Sequence, residues 1–150
     1  MNQIKQISAI ETFIVRHPVL RKGRSIDTCS FVGDELNSTI HFGYFENNLL
    51  IGVVSVFKQK NGTFIDNNQC QIRGMAVLEN HQKKGIGQAL INHCEIYISE
   101  TSTSLIWFNA RENAVPFYEK MGYIKVGNPF EIEPIGTHFL MTKSIYLTYF

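Results

Sequence analysis

Only three of the 150 residues are cysteine, and Cys29, Cys70 and Cys94 lie far apart with no C-x-x-C pair among them. An odd, scattered set excludes a disulfide framework and a zinc knuckle, and fits small buried thiols in a reducing compartment. Neither sign of charge is in excess. Fourteen Lys and Arg oppose thirteen Asp and Glu, a formal net charge of +1. That balance excludes the basic footprint of a nucleic-acid binder and any polyanion-binding tail. Long apolar runs are missing too. Residues 49–57 are the most apolar stretch, yet Gly52 and Ser55 interrupt them, far short of the ~18–20 residues a membrane span needs. The opening MNQIKQISAI has no basic start followed by an apolar core, so it does not read as a secretory signal. There is no internal repeat, low-complexity tract or Pro/Ser-rich linker. The expectation is a soluble, cytoplasmic protein with one domain over residues 1–150, no metal, and no nucleic-acid or membrane partner.

What is present is a globular balance, with 44% apolar and 18% charged residues. Residues 4–7 read as a short strand, and Ile10, Ile14, Val15 and Leu20 then recur at helical spacing. Residues 21–33 show no periodicity and fit a loop or an irregular helix. Residues 41–45 and 49–58 flank Glu46-Asn47-Asn48, a hairpin whose asparagines tolerate left-handed backbone. Residues 69–77 form the next strand. Ile86, Ala89, Leu90, Cys94, Tyr97 and Ile98 make the apolar stripe of a helix of about three to four turns. Residues 105–108 read as a strand and 113–121 as a helix, with Asn113 as N-cap, Pro116 in the first turn and Gly122 just past the end. Residues 124–126 and 138–145 complete the strands. This order predicts an α/β fold with a mixed sheet, a parallel step across the glycine-rich helix, and helices on its faces.

The junction after the strand 69–77 carries the first chemical signal. Gln82-Lys83-Lys84-Gly85-Ile86-Gly87-Gln88 opens a helix, where the first N–H groups lack internal acceptors and the macrodipole adds positive character. Two glycines let the backbone curl and an anion approach, and Lys83 and Lys84 add charge at the rim. A pyrophosphate suits such a cradle, although glycine at a helix start also serves close packing. The segment is neither a Walker A loop nor a dinucleotide fingerprint.

Gln82-x-x-Gly85-x-Gly87, preceded by Met75-Ala76-Val77 and followed by Ala114…Phe117-Tyr118-x-x-x-Gly122-Tyr123, resembles the GNAT superfamily of N-acetyltransferases. Both motifs stand in the superfamily's order and spacing, and the element string matches across nearly the whole chain. The resemblance implies a GNAT-like mixed, mostly antiparallel sheet with a central splayed parallel strand pair, and acetyl-coenzyme A as acetyl donor. Its pyrophosphate would rest on the amides of Gln82, Lys83, Lys84, Gly85, Ile86, Gly87 and Gln88. Its pantetheine arm would pair with the backbone of Met75, Ala76 and Val77, and Asn109, Ala114 and Phe117 would border the same channel. Within the superfamily the chain is similar to the glyphosate N-acetyltransferase group. That likeness rests on Arg16-His17…Leu20-Arg21, Ile72-Arg73-Gly74-Met75-Ala76, Asn109-Ala110-Arg111 and Gly136-x-His138.

Acetyl transfer to an amine needs a base for the amine proton, a donor for the acetyl oxygen and a proton for the departing thiolate. A lone histidine at a strand start is ordinarily structural. Pro134-Ile135-Gly136-Thr137-His138, however, matches the group's active-site loop, which makes His138 the general base; the other four histidines carry no such context. Tyr118 stands where the superfamily places a tyrosine beside the coenzyme sulfur, and it is equally placed to pack against Met121 or Tyr123. The Val77 backbone N–H would polarise the carbonyl. Arg73 sits among Ile72, Gly74, Met75 and Ala76, where an unpaired charge is costly. Arg111 precedes a helix start, the end at which the dipole disfavours a cation. Both placements ask for an anion, and the resemblance assigns Arg21, Arg73 and Arg111 to a substrate pocket. Guanidinium grips carboxylate or phosphonate with paired hydrogen bonds, so the acceptor is expected to be a small amine bearing an anionic group. A peptide or protein amine, or coenzyme binding without turnover, are the alternatives. Tyr146, Tyr149 and Phe150 fit either a core cap or a subunit contact, and the oligomeric state is left open.

Overall fold

The computed structural model describes residues 1–145, so the reading of residues 146–150 lies outside the described residues. Ten regular elements follow in order: β1 (Asn2–Ile7), α1 (Phe13–Leu20), β2 (Ile40–Glu46), β3 (Leu49–Phe57), β4 (Gln69–Val77), α2 (Ile86–Ser99), β5 (Leu105–Arg111), α3 (Val115–Lys120), β6 (Ile124–Ile132) and β7 (Gly136–Ser144). Short 3-10 turns at Ile10–Thr12, Ile26–Cys29, Glu79–His81 and Glu112–Ala114 join them. The strands form one seven-stranded sheet in the order β1-β2-β3-β4-β5-β7-β6. β1–β2, β2–β3, β5–β7 and β6–β7 pair antiparallel. β4 and β5 pair parallel over Gln69–Gln71 against Leu105–Trp107, three residues and no more. This is the expected GNAT-like mixed sheet.

The chain clusters into two compact units, Met1–Lys58 with Ile72–Tyr97, and Gln59–Gln71 with the chain from Ile98 onward. In the first unit β3 is buried at eight of its nine positions, as its β-branched, uncharged run demands of an interior strand. Ile7, Val15, Leu50, Val53 and Ala76 form one apolar cluster, flanked by Val19, Leu20, Phe45 and Leu78. The β2–β3 hairpin turns on Asn47 and Asn48 at φ 49° and 69°, the left-handed pair the sequence predicts. In the second unit Phe108 packs against Tyr118 and Tyr123, with centroids 4.4 and 4.8 Å apart.

Several details differ from the sequence expectation. Ile10 and Ile14 are 69% and 58% exposed, and the face of this segment turned inward carries Thr12, Val15 and Arg16. β5 runs on to Arg111 because Asn109, Ala110 and Arg111 pair with Leu140, Phe139 and His138 of β7. β6 extends to Ile132 through pairing of Phe130, Glu131 and Ile132 with the same strand. Asn113 is not the N-cap of α3: Ala114 holds that position, with no side-chain hydrogen bond. Pro116 does sit in the first turn, where its missing N–H removes nothing.

Candidate functional site

In the first unit the glycine-rich segment adopts the geometry of an anion cradle. Lys83 and Gly85 both take positive φ, 64° and 83°, and the first helical hydrogen bond runs from the Ala89 N–H to the Gly85 carbonyl at 3.0 Å. The N–H groups of Ile86, Gly87 and Gln88 therefore precede any acceptor one turn back. A Cβ on Gly85 would meet nothing within 4 Å, so packing does not call for glycine there and the backbone conformation does. Ile86 is buried and anchors the helix start, while Gln82, Lys83, Lys84 and Gln88 are exposed. The Gln82 side chain donates to the Val77 carbonyl at 2.8 Å and ties the cradle to the end of β4. Met75, Ala76 and Val77 lie on that strand end. These residues fit a pyrophosphate-bearing ligand by backbone geometry and by charge.

The same unit holds the arginine cluster. Arg73 projects from β4 and is only partly exposed, and among the described residues its guanidinium makes no hydrogen bond or ion pair. It lies 4.6 Å from the Phe31 ring centroid and 5.3 Å from that of Phe57. Burial, and then the charge of Arg16, pull it below its ordinary arginine value, with Asp34 acting in the opposite direction. Arg21 reaches the same Phe31 ring at 5.4 Å, so Arg21 and Arg73 lie against one ring, while Arg111, the third arginine of the expected set, belongs to the second unit.

Arg16, which sequence reasoning used only as a landmark, is the centre of this cluster. It has no solvent exposure. Its guanidinium forks onto Asp34 at 2.7 and 3.2 Å, donates to the Cys29 carbonyl at 2.8 Å and to Ser55 Oγ at 3.0 Å. Ser55 Oγ lies 2.6 Å from His41 Nδ1, and His41 Nε2 lies 2.9 Å from the Asp34 carbonyl. A carbonyl only accepts, so Nε2 carries the proton, and Nδ1 accepts from the Ser55 hydroxyl. Gly74, at φ 65°, follows Arg73, and a Cβ there would fall 2.9 Å from Phe31 Cε2 and 3.2 Å from Arg16 Nε. Gly74→Ala is expected to lower stability by about 1–3 kcal/mol, from left-handed strain and the clash together. The urea midpoint reads this, and an unchanged midpoint contradicts it.

The second unit places Arg111, His138 and Phe130 in one row across β5, β7 and β6: Arg111 is opposite His138, and Phe130 is opposite His138 on the other side. Directly opposed residues share a face. His138 is 5% exposed, and its ring stacks on Phe130 with centroids 6.2 Å apart. Its Nδ1–H donates to the Gly136 carbonyl at 2.8 Å, which leaves the Nε2 lone pair as the basic one. The Arg111 guanidinium makes no hydrogen bond or ion pair among the described residues, and burial pulls it below the ordinary arginine value. Asn109 is exposed on β5, and Ala114 and Phe117 are partly buried at the start of α3. Tyr118 is 8% exposed, with its ring against Phe108 and Phe117.

The model of the acetyltransferase (GNAT) domain matches residues 30–145. The uncharacterized N-acetyltransferase YitI of Bacillus subtilis (strain 168) is 33% identical over 145 residues, 97% of each chain. Two solved structures share the fold. An aminoglycoside 6′-N-acetyltransferase complexed with coenzyme A is 16% identical with TM-score 0.75, covering 95% of this chain and 96% of its own. A putative N-acetyltransferase from Lactobacillus plantarum is 16% identical with TM-score 0.78, covering 97% and 99%. The anion cradle at the start of α2 thus stands in a chain whose relatives by sequence and by fold are acetyltransferases, and the protein belongs to the GNAT family as an acyltransferase enzyme.

Proposed function

We propose that this protein transfers an acetyl group from acetyl-coenzyme A to the amine of a small anionic substrate, an amino acid or phosphonate-like compound, as a single cytoplasmic N-acetyltransferase domain over residues 1–150. On this reading it stands with the glyphosate N-acetyltransferase group inside its family. The observation that carries the acceptor class is the state of Arg73. It shares the Phe31 ring with Arg16, and the carboxylate hydrogen-bonded there, Asp34, is committed to Arg16. A half-buried guanidinium without a counter-ion of its own is suited to an incoming carboxylate or phosphonate. Arg21, and Arg111 in the second unit, add to the same preference.

Bound acetyl-coenzyme A supplies the acetyl group as an activated thioester. The amides from Gln82 to Gln88 would hold its pyrophosphate, and the Met75, Ala76 and Val77 backbone would hold the pantetheine arm. Asn109, Ala114 and Phe117, in the second unit, are the further residues that would contact the coenzyme on this reading. His138 Nε2 takes the proton the amine sheds as the C–N bond forms. The Val77 N–H would serve as the hydrogen-bond donor for the acetyl oxygen, and the Tyr118 hydroxyl would supply the proton that the leaving thiolate needs. A thiol-release assay over acidic amino acids, neutral amines, polyamines and peptides tests the reading. Acidic acceptors lead if it holds. Peptides lead if the acceptor is a protein amine, and no turnover with any acceptor leaves a coenzyme-binding module.

A further inference from the structure

We propose that the buried Arg16–Asp34 pair is the positioning device of the acceptor's anion site: it fixes the Phe31 ring, and the ring fixes the guanidinium of Arg73. The inference rests on Arg73 receiving the acceptor's anion and asks what makes that arginine ready to do so. A fully buried ion pair is not by itself a stabilising choice, since apolar residues of similar volume commonly serve as well or better. This pair is placed where it does something else. Both halves hold the same residue: Asp34 Oδ2 accepts the Phe31 N–H at 2.9 Å, and Arg16 Cζ lies 3.8 Å from the Phe31 ring centroid. Backbone and ring of Phe31 are therefore clamped from two sides. Arg16 is fixed in turn by the Cys29 carbonyl and by Ser55, whose hydroxyl His41 orients.

Arg73 has no hydrogen bond of its own among the described residues, so the Phe31 and Phe57 rings are what define its position. An arginine held in place before the ligand arrives loses less freedom on binding, which is a gain in affinity without a new contact. Gly74 completes the clamp, because no side chain fits between β4 and the Phe31–Arg16 stack. Arg16 is therefore a positioning residue that need not touch the acceptor.

The test titrates the full-length protein calorimetrically with methylphosphonate and, separately, with coenzyme A, using Arg73→Met, Phe31→Leu and the apolar pair Arg16→Met/Asp34→Leu. Arg73→Met is expected to weaken methylphosphonate at least about tenfold. The apolar pair and Phe31→Leu are each expected to weaken it about five- to tenfold, with coenzyme A affinity held within about twofold. Combining Phe31→Leu with Arg73→Met should weaken binding by clearly less than the product of the two single effects, because the ring acts chiefly through that arginine, with Arg21 at 5.4 Å from the same ring as the lesser route. If the apolar pair binds methylphosphonate like the unaltered protein while Arg73→Met does not, the positioning role is wrong and the acceptor reading survives. If Arg73→Met binds it unchanged, or the unaltered protein does not bind it, the acceptor reading fails and this inference with it. Should the apolar pair not fold, Phe31→Leu decides: effects fully additive with those of Arg73→Met overturn the proposal.

Discussion

Arg73→Met is expected to lower kcat/KM for an anionic acceptor by roughly 10- to 100-fold, mostly through KM, while coenzyme A binding is unchanged. Hydrogen bonds to a charged group contribute about 1.5–3 kcal/mol each when they form, and ~1.4 kcal/mol is tenfold. On the proposed reading the interaction would form in the ground state as well as in the transition state, so its loss would be felt as uniform binding. Arg73→Lys should recover only part, because an ammonium cannot match the two oxygens of a carboxylate with a planar fork. Stability should not fall with activity. Burial and the Arg16 charge already disfavour the charged form of Arg73 in the folded protein, and removing the group removes that penalty. A urea midpoint at or above that of the unaltered protein, beside a raised acceptor KM, is the predicted pair of results. A lost midpoint with unchanged KM contradicts the assignment.

His138→Ala is expected to cut kcat by about 10²- to 10⁴-fold, the range that loss of a positioned base produces, with coenzyme A affinity preserved. The hydrogen bond from Nδ1 to the Gly136 carbonyl sharpens this. His138→Asn can keep a donor for that carbonyl and has nothing at the Nε2 position, so it should be as slow as the alanine variant. Single-turnover rates under saturating acetyl-coenzyme A measure this directly. An asparagine variant with near-normal rate would show that the ring holds the loop and does not accept the proton.

The glycine-rich turn and the half-buried placement of Arg73 and Arg111 were legible because each breaks a local rule: paired glycines opening a helix, a charge inside an apolar strand, a cation before a helix start. What escaped was set by distant partners. The contacts of Arg16 with Asp34 and Ser55 span 18 and 39 residues, and residues 21–33 carry no periodicity that would betray a buried carboxylate nearby. The apolar spacing of Ile10 and Ile14 pointed to a core face, yet tertiary context turned it to solvent and buried Arg16 in its place. The ends of β5 and β6 were read short for the same reason, since their outer residues are strand only because β7 pairs with them. His41, read as one unremarked histidine among several, gained its place from Ser55 across the β2–β3 pair.

The central claim is that a guanidinium awaits the acceptor's anion, and the ratio of kcat/KM between an amine and its uncharged twin tests it most directly. Aspartate against asparagine and glutamate against glutamine, followed by coenzyme A release at fixed acetyl-coenzyme A, change one charge and almost no volume. The account predicts that the carboxylate member is preferred by about tenfold or more, and that Arg73→Met erases most of that preference. Equal rates for the two members of each pair, or faster acetylation of the amide, would contradict it.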